Sequence, residues 1–433
     1  MDTPVKSIAP KRSIDSAEVP AAKRAVAQSS QSPCGEVGDE AVETFVKFLA
    51  EHDVSLEKYG IRLGESKLGG LGVFHAGDRK KADGEVIIAV PQSMLIEWCK
   101  GRQTDFGKML EAALDKIYAC VDDGCADVTK NKSTENSLPE FTVVHKLWLW
   151  LIHGRYTPSS FVHSYTGILP RTFSDTLHWS DVQLTSLLAG SNLFFESQER
   201  LQTLREIYDK IITKLIEIDP TTFPKEWFTF ENFLWARSAY TSRSFGEDLS
   251  EANRAEKAKG NDVTATMLPL VDSFNHNPKE FAKVEYIDRP EAQEACLPTN
   301  GVVMRYRGGP SSVGPGEELW YNYGSEKGNE ELLLAYGFTL ADNSADKVAV
   351  KFKSMAQDDN SLQEKKTLLV ELGVGFEIKD EQSRTFSAGP FYVASDGQIP
   401  LKLLRAAAII LGAGRDAFEI LKEENGVVRK LED

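Results

Sequence analysis

The sequence predicts an α+β chain in which small β elements flank a large helical insert, and three observations carry that expectation. Short β-branched and apolar runs lie at 61–63, 72–74 and 85–91, and return at 267–271, 283–286, 302–306 and 318–321. Between the two groups, from about residue 100 to 263, apolar residues recur at helical spacing. No G-x-G-x-x-G opens a helix and no G-x-x-x-x-G-K-[ST] occurs, which argues against Rossmann and P-loop sheets.

Taken in order, residues 1–37 are rich in Ser, Ala, Pro and Lys/Arg without periodic apolar positions, and a disordered tail is expected there. A solvated tail with no address is the first reading; Lys11-Arg12 and Lys23-Arg24 are spaced like a sparse bipartite nuclear signal, and an organelle presequence is a further alternative. Val42, Phe45, Phe48 and Leu49 predict a short amphipathic helix over 40–52. Gly69, Gly70 and Gly72 form a turn between the first two strands, and Pro91 stops the third. Helices are predicted over 143–153 and 195–218, and from Thr229, a capping residue, through Phe233, Leu234 and Ala236. The polar stretch 246–261 reads as a loop or frayed helix. After about 345 the chain is mixed and then helical, with Leu401, Leu403, Leu404, Ala407, Ile409 and Ile410 forming an apolar face.

Composition narrows the function classes. The 433 residues allow two or three domains, and 41% hydrophobic with 27% charged residues suits a globular core. A net charge of −15 argues against binding duplex nucleic acid and fits a basic protein substrate or a highly soluble cytosolic enzyme better. Five scattered cysteines without a C-x-x-C pair read as reduced thiols of an intracellular protein. No membrane span, no secretory signal and a monomeric chain are expected; cytoplasm or nucleus is the expected location, with an organelle as the alternative.

Two strings carry chemistry. Asp272-Ser273-Phe274-Asn275-His276 follows the apolar run 268–271, read as a buried strand, and precedes the Asn277-Pro278 turn. An amide and an imidazole at such a strand end need partners, within the protein or in a ligand, because burial unsatisfied costs about 1–3 kcal/mol each. A metal is not expected: Glu280 stands at i+4 from His276, but Pro278 intervenes and no second His is near. In Leu319-Trp320-Tyr321-Asn322-Tyr323-Gly324 the two tyrosines share a face if the strand continues. Tyr323 is then either packing on a strand or a hydroxyl handle in an apolar slot. Arg243 ends a helix, where it can simply cap carbonyls.

Together these segments resemble the SET-domain methyltransferases, and among them the branch typified by the Rubisco large-subunit lysine methyltransferase. That branch has relatives acting on ribosomal proteins and one acting on an actin histidine. The resemblance runs from about Tyr59 to Phe338. It includes Gly69–Phe74, Trp235–Ser238, Ser242–Phe245, Asp272–His276, Gly316–Gly324 and Asn329–Phe338. It implies a SET-type fold of small β-sheets with a knot-like C-terminal threading, here a SET domain over 38–344. A short helical substrate-binding domain would follow at 345–433, beginning near Asp396–Leu401. It further implies S-adenosyl-methionine as donor and a protein lysine as acceptor. Gly69, Gly70 and Leu71 would offer backbone to that cofactor, and Asn275, His276 and Tyr323 would contact it. Tyr323 matches the catalytic tyrosine; Arg243, Asp272 and Tyr336 match substrate-channel positions. Glu247 stands where the branch has a basic residue. The same fold methylating histidine, and a silent peptide-binding module, are the rival readings. The substrate protein could be ribosomal, cytoskeletal, nuclear or plastid.

Overall fold

The computed structural model describes residues 37–122, 138–279, 282–297, 299–307, 313–353, 362–371, 373, 375–379, 384–411, 421–424 and 427–430. The tail expected over 1–37 falls outside these residues up to residue 36.

Nine short strands build the β part: β1 (Ile61–Glu65), β2 (Leu71–His75), β3 (Val86–Pro91), β4 (Ser244–Phe245), β5 (Thr266–Met267), β6 (Asn275–His276), β7 (Lys283–Ile287), β8 (Gly301–Arg305) and β9 (Glu318–Tyr321). They form three small sheets, ordered β1-β2-β9-β6, β3-β8-β7 and β4-β5. Every pairing among them is antiparallel except β6 with β9, where Asn275 lies beside Trp320 and His276 beside Tyr321 in parallel. That one parallel pairing joins two stretches far apart in sequence.

Helices fill the interval between β3 and β4. The principal ones are α1 (Asp39–Glu51) before the strands, then α2 (Asp105–Asp122), α3 (Val143–Tyr156), α4 (His163–Ile168), α5 (Asn192–Ile207) and α6 (Phe230–Arg243). In α3 the six consecutive residues Leu147 to Ile152 are all buried, so this helix is apolar all round and runs through the core. α5 passes into a π-turn at Tyr208–Ile212 and continues to Ile218, extending the predicted 195–218 segment at its N-terminus. Thr229 does cap α6, its hydroxyl accepting from the Asn232 amide at 3.2 Å. The stretch 246–261 is more ordered than a frayed helix. Ser250 caps α7 (Glu251–Lys257), whose Asn253 and Glu256 are buried.

A correction concerns residues 268–271. They are buried as expected, with Leu268, Leu270 and Val271 at 0% exposure, but they are not a strand. β5 stops at Met267, because Pro269 has no N–H for a ladder and Leu270 turns into the left-handed region at φ 77°. A 3₁₀ turn at Val271–Ser273 follows and delivers Asp272 to the interior.

Beyond α8 (Asn329–Tyr336), the C-terminal segment is mixed throughout. β10 (Lys347–Lys353), β11 (Gly375–Lys379) and β12 (Arg384–Ala394) form a sheet ordered β10-β12-β11. The predicted apolar helix is there as α10 (Leu401–Ile410), preceded by α9 (Leu362–Glu371). Leu369, Phe391, Leu403, Ala406 and Ile409 make a small core separate from the main one. Among the described residues, no helix is long and apolar enough to cross a membrane.

One pH dependence follows from α3. His145 reaches back to the helix start, where its Nδ1 accepts from the Thr142 amide at 2.9 Å, and burial pushes its imidazole from 6.5 down to about 4. The unfolded chain therefore binds this proton first. The stabilising preference for the neutral ring is complete above about pH 6.5 and is lost as pH falls towards 4, a change of at most roughly 3 kcal/mol. Urea midpoints measured between about pH 7 and pH 5 should fall more steeply in the wild type than in His145→Asn, which has no titrating ring.

Candidate active site

The turn between β1 and β2 is tight, with the Ser66 amide donating to Gly70 O and the Gly69 amide to Ser66 O, both at 2.9 Å. Gly69 and Gly70 have φ of 89° and 71°, which a side-chain-bearing residue adopts only at a cost. The turn thus leaves bare backbone facing β6.

Tyr323 is held by hydrogen bonds rather than by strand periodicity. β9 ends at Tyr321, the bound read from the sequence, so Tyr323 lies beyond the strand. Instead the Tyr323 amide donates to His276 Nδ1 at 3.0 Å, and its hydroxyl donates to Phe274 O at 2.9 Å. The ring lies 4.9 Å from that of Tyr336 and 6.1 Å from that of Tyr321, centroid to centroid. Burial raises the Tyr323 hydroxyl well above the ordinary tyrosine value, although the Arg243 cation pulls the other way. The hydroxyl is therefore protonated at neutral pH. Burial also lowers the His276 imidazole, keeping the ring neutral.

Arg243 does not cap its helix. Its Nη1 donates to Asp272 O at 2.9 Å and lies 3.4 Å from Asp272 Oδ2, and the Tyr165 hydroxyl of α4 donates to the same Oδ2 at 2.5 Å. Burial pushes the Asp272 carboxyl up against the pull of Arg243 and Tyr165. Burial would lower the Arg243 guanidinium, but Asp272, Tyr165 and Tyr323 around it together raise it. The other carboxylate oxygen, Oδ1, is buried with no hydrogen-bond partner among the described residues.

All nine residues singled out in the sequence line one cavity of about 360 Å³: Gly69, Gly70 and Leu71; Asn275 and His276; Tyr323; and Arg243, Asp272 and Tyr336. Pro170, Phe173, Phe338 and Leu340 are among the other residues of its wall. A second cavity, about 230 Å³, is lined by Phe245, Phe274 and Tyr321 and shares Ser242, Arg243, Asp272, Tyr323 and Tyr336 with the first. The first space is lined by glycine backbone, amide and imidazole, half of the residues lining the other are aromatic, and Tyr323 is one of the five that belong to both. A larger cavity, about 860 Å³, lies between α3, α5 and Lys351 of β10 and contains none of these residues.

Glu247 lines neither cavity, its carboxylate pairing with Lys257. Sequence reasoning missed Tyr165, Ser66, Glu318 and Phe338. Tyr165 belongs to no motif, and only the fold brings it to Asp272. Glu318 stood inside a quoted motif, and its burial on a strand was the signal available.

No family model matches the chain. The ribosomal lysine N-methyltransferase set10 of Schizosaccharomyces pombe is 30% identical over 223 residues, which are 51% of this chain and 35% of that protein. The chloroplastic ribulose-1,5 bisphosphate carboxylase/oxygenase large subunit N-methyltransferase of Pisum sativum is 25% identical over 299 residues, 69% of this chain and 51% of that one. The chain therefore spans about half or less of the length of these relatives. A structure of Rubisco LSMT bound to sinefungin and monomethyllysine superposes with a TM-score of 0.62 at 21% identity, over 88% of this chain and 73% of that one. The chain has the fold of the SET domain of Rubisco LSMT, and the curated relatives it matches are N-methyltransferases of ribosomal proteins and of the Rubisco large subunit.

Proposed function

We propose that the chain transfers a methyl group from S-adenosyl-methionine to a lysine side chain of a protein substrate. The observation that carries this reading is the pair of unlike cavities meeting at Tyr323. The residues present fit the cofactor on two counts. The left-handed Gly69 and Gly70 leave backbone uncovered for close approach, and the unpartnered Asp272 Oδ1 offers a buried acceptor to a ligand donor. When bound, the cofactor supplies an electrophilic methyl group. Gly69, Gly70, Leu71, Asn275 and His276 would hold it in the larger cavity.

The chain's own contributions are binding, orientation and desolvation. In the slot lined by Phe245, Phe274, Tyr321 and Tyr336, removal from water and the Arg243 cation beside it disfavour an ammonium, lowering the pKa of an entering lysine towards the neutral nucleophile. Arg243 and Asp272 set the polar end of that slot. Tyr323, its proton committed to Phe274 O, has lone pairs left to orient the reacting groups and is not a base. The division into a SET domain over 38–344 and a substrate-binding segment over 345–433 belongs to this reading; the separate core around Phe391 and Ile409 supports it. A monomeric chain, a protein partner and an intracellular location belong to the same reading.

The test is label transfer. Extract proteins incubated with methyl-labelled S-adenosyl-methionine and this protein, then hydrolysed to amino acids, should yield Nε-methyllysine. Methylhistidine instead would assign the same fold to histidine, and no labelled amino acid would leave a peptide-binding module.

A further inference from the structure

Glu318 is a buried carboxylate for which the proposed chemistry has no direct use, and its contacts tie together the parts of the larger cavity. It sits on β9 opposite Phe74 of β2, and its side chain is 9% exposed. Oε2 accepts from the Ser66 hydroxyl at 3.0 Å, at the start of the glycine turn. Oε1 accepts from Asn275 Nδ2 at 2.8 Å, on the other side of β9. The side chain crosses over Gly72, where a Cβ would stand 2.5 Å from Oε1. Only glycine leaves the carboxylate its place, which gives Gly72 a role distinct from that of Gly69 and Gly70.

The consequence concerns which face Asn275 turns to a ligand. Its NH₂ group has two hydrogens, one for Glu318 and one for Leu71 O at 3.2 Å. Both partners are acceptors only, so the amide cannot be reversed without facing oxygen to oxygen. Oδ1 is the polar atom left over. We propose that Glu318 is the positioning residue that locks Asn275 as an acceptor towards the larger cavity, so that this point of the site selects a ligand group carrying an N–H or O–H donor. The ligand's identity rests on the S-adenosyl-methionine reading above; the lock itself does not.

Glu318→Leu tests it, because it removes both acceptor oxygens and leaves the Asn275 NH₂ with Leu71 O alone. Glu318→Gln is the control: its oxygen still accepts from Asn275 while its NH₂ donates to the Ser66 hydroxyl, so the lock should survive. Two readouts separate the lock from the ligand. In ligand-free protein with ¹⁵N-labelled asparagine, the Asn275 side-chain amide should exchange with solvent slowly in the wild type and in Glu318→Gln, and much faster in Glu318→Leu. In titrations with S-adenosyl-methionine, Glu318→Leu should bind roughly tenfold more weakly or worse. It should have no further effect in an Asn275→Ala background. A general loosening of the fold would instead weaken binding in both backgrounds, and that result overturns the proposal. Unchanged amide exchange in Glu318→Leu overturns it as well. If the wild type takes up no S-adenosyl-methionine, the methyl-donor reading fails and the lock is decided by the exchange rates alone. Should Glu318→Leu not fold, Gly72→Ala displaces the carboxylate with a Cβ that would stand 2.5 Å from Oε1; faster Asn275 exchange supports the lock, and an unchanged rate overturns it.

Discussion

Replacing Tyr323 by Phe should lower the rate of methyl transfer on the order of a hundredfold or more while leaving the protein folded and the cofactor bound. The ring stays, so its packing against Tyr336 and Tyr321 is kept. What goes is one hydroxyl, its bond to Phe274 O and the oxygen lone pairs at the junction of the two cavities. The lost hydrogen bond costs about 1 kcal/mol of stability, too little to unfold a domain. Rate and stability should therefore separate. Single-turnover kinetics with labelled cofactor, beside a thermal melt of the same preparation, checks this. Full activity in Tyr323→Phe would remove the hydroxyl from the mechanism.

The Arg243–Asp272–Tyr165 cluster predicts the heaviest loss of stability. Asp272→Ala removes the partner of a guanidinium whose side chain is 17% exposed and strands the Tyr165 hydroxyl, which is fully buried. An uncompensated buried charge costs about 3–5 kcal/mol, a large part of the 5–15 kcal/mol typical of a folded domain. The urea midpoint should fall accordingly with the slope unchanged. Asp272→Asn keeps an acceptor for Tyr165 and should lose less. Arg243→Met combined with Asp272→Leu removes both charges and should recover much of the loss, because the penalty comes from the unpaired ion rather than from the missing pair. A cost below about 1 kcal/mol for Asp272→Ala would mean that water reaches the pair.

The parts legible in the sequence are those set by local rules or by long motifs. Thr229 announces α6 because a hydroxyl satisfies an orphan amide wherever a helix begins. β9 runs from Glu318 to Tyr321, the bounds read from its short apolar and aromatic run. The nine residues lining the larger cavity were named from strings that single features could not have joined. The run 268–271 misled for a physical reason: burial alone does not distinguish a strand from an irregular buried turn, and Leu270 at positive φ is a tertiary choice that no propensity reports. The same holds for Glu318 and Tyr165. Ser66 lies 252 positions from Glu318, and Tyr165 lies 107 from Asp272, so only the packed chain introduces them.

The convergence of the glycine turn, Asn275, His276 and Tyr323 on one ligand is tested most directly by calorimetric titration of the purified protein with S-adenosyl-methionine. Saturable uptake of one equivalent, weakened severely in Asn275→Ala with its thermal midpoint retained, is the predicted result. A folded wild type that leaves the cofactor free in solution would contradict it.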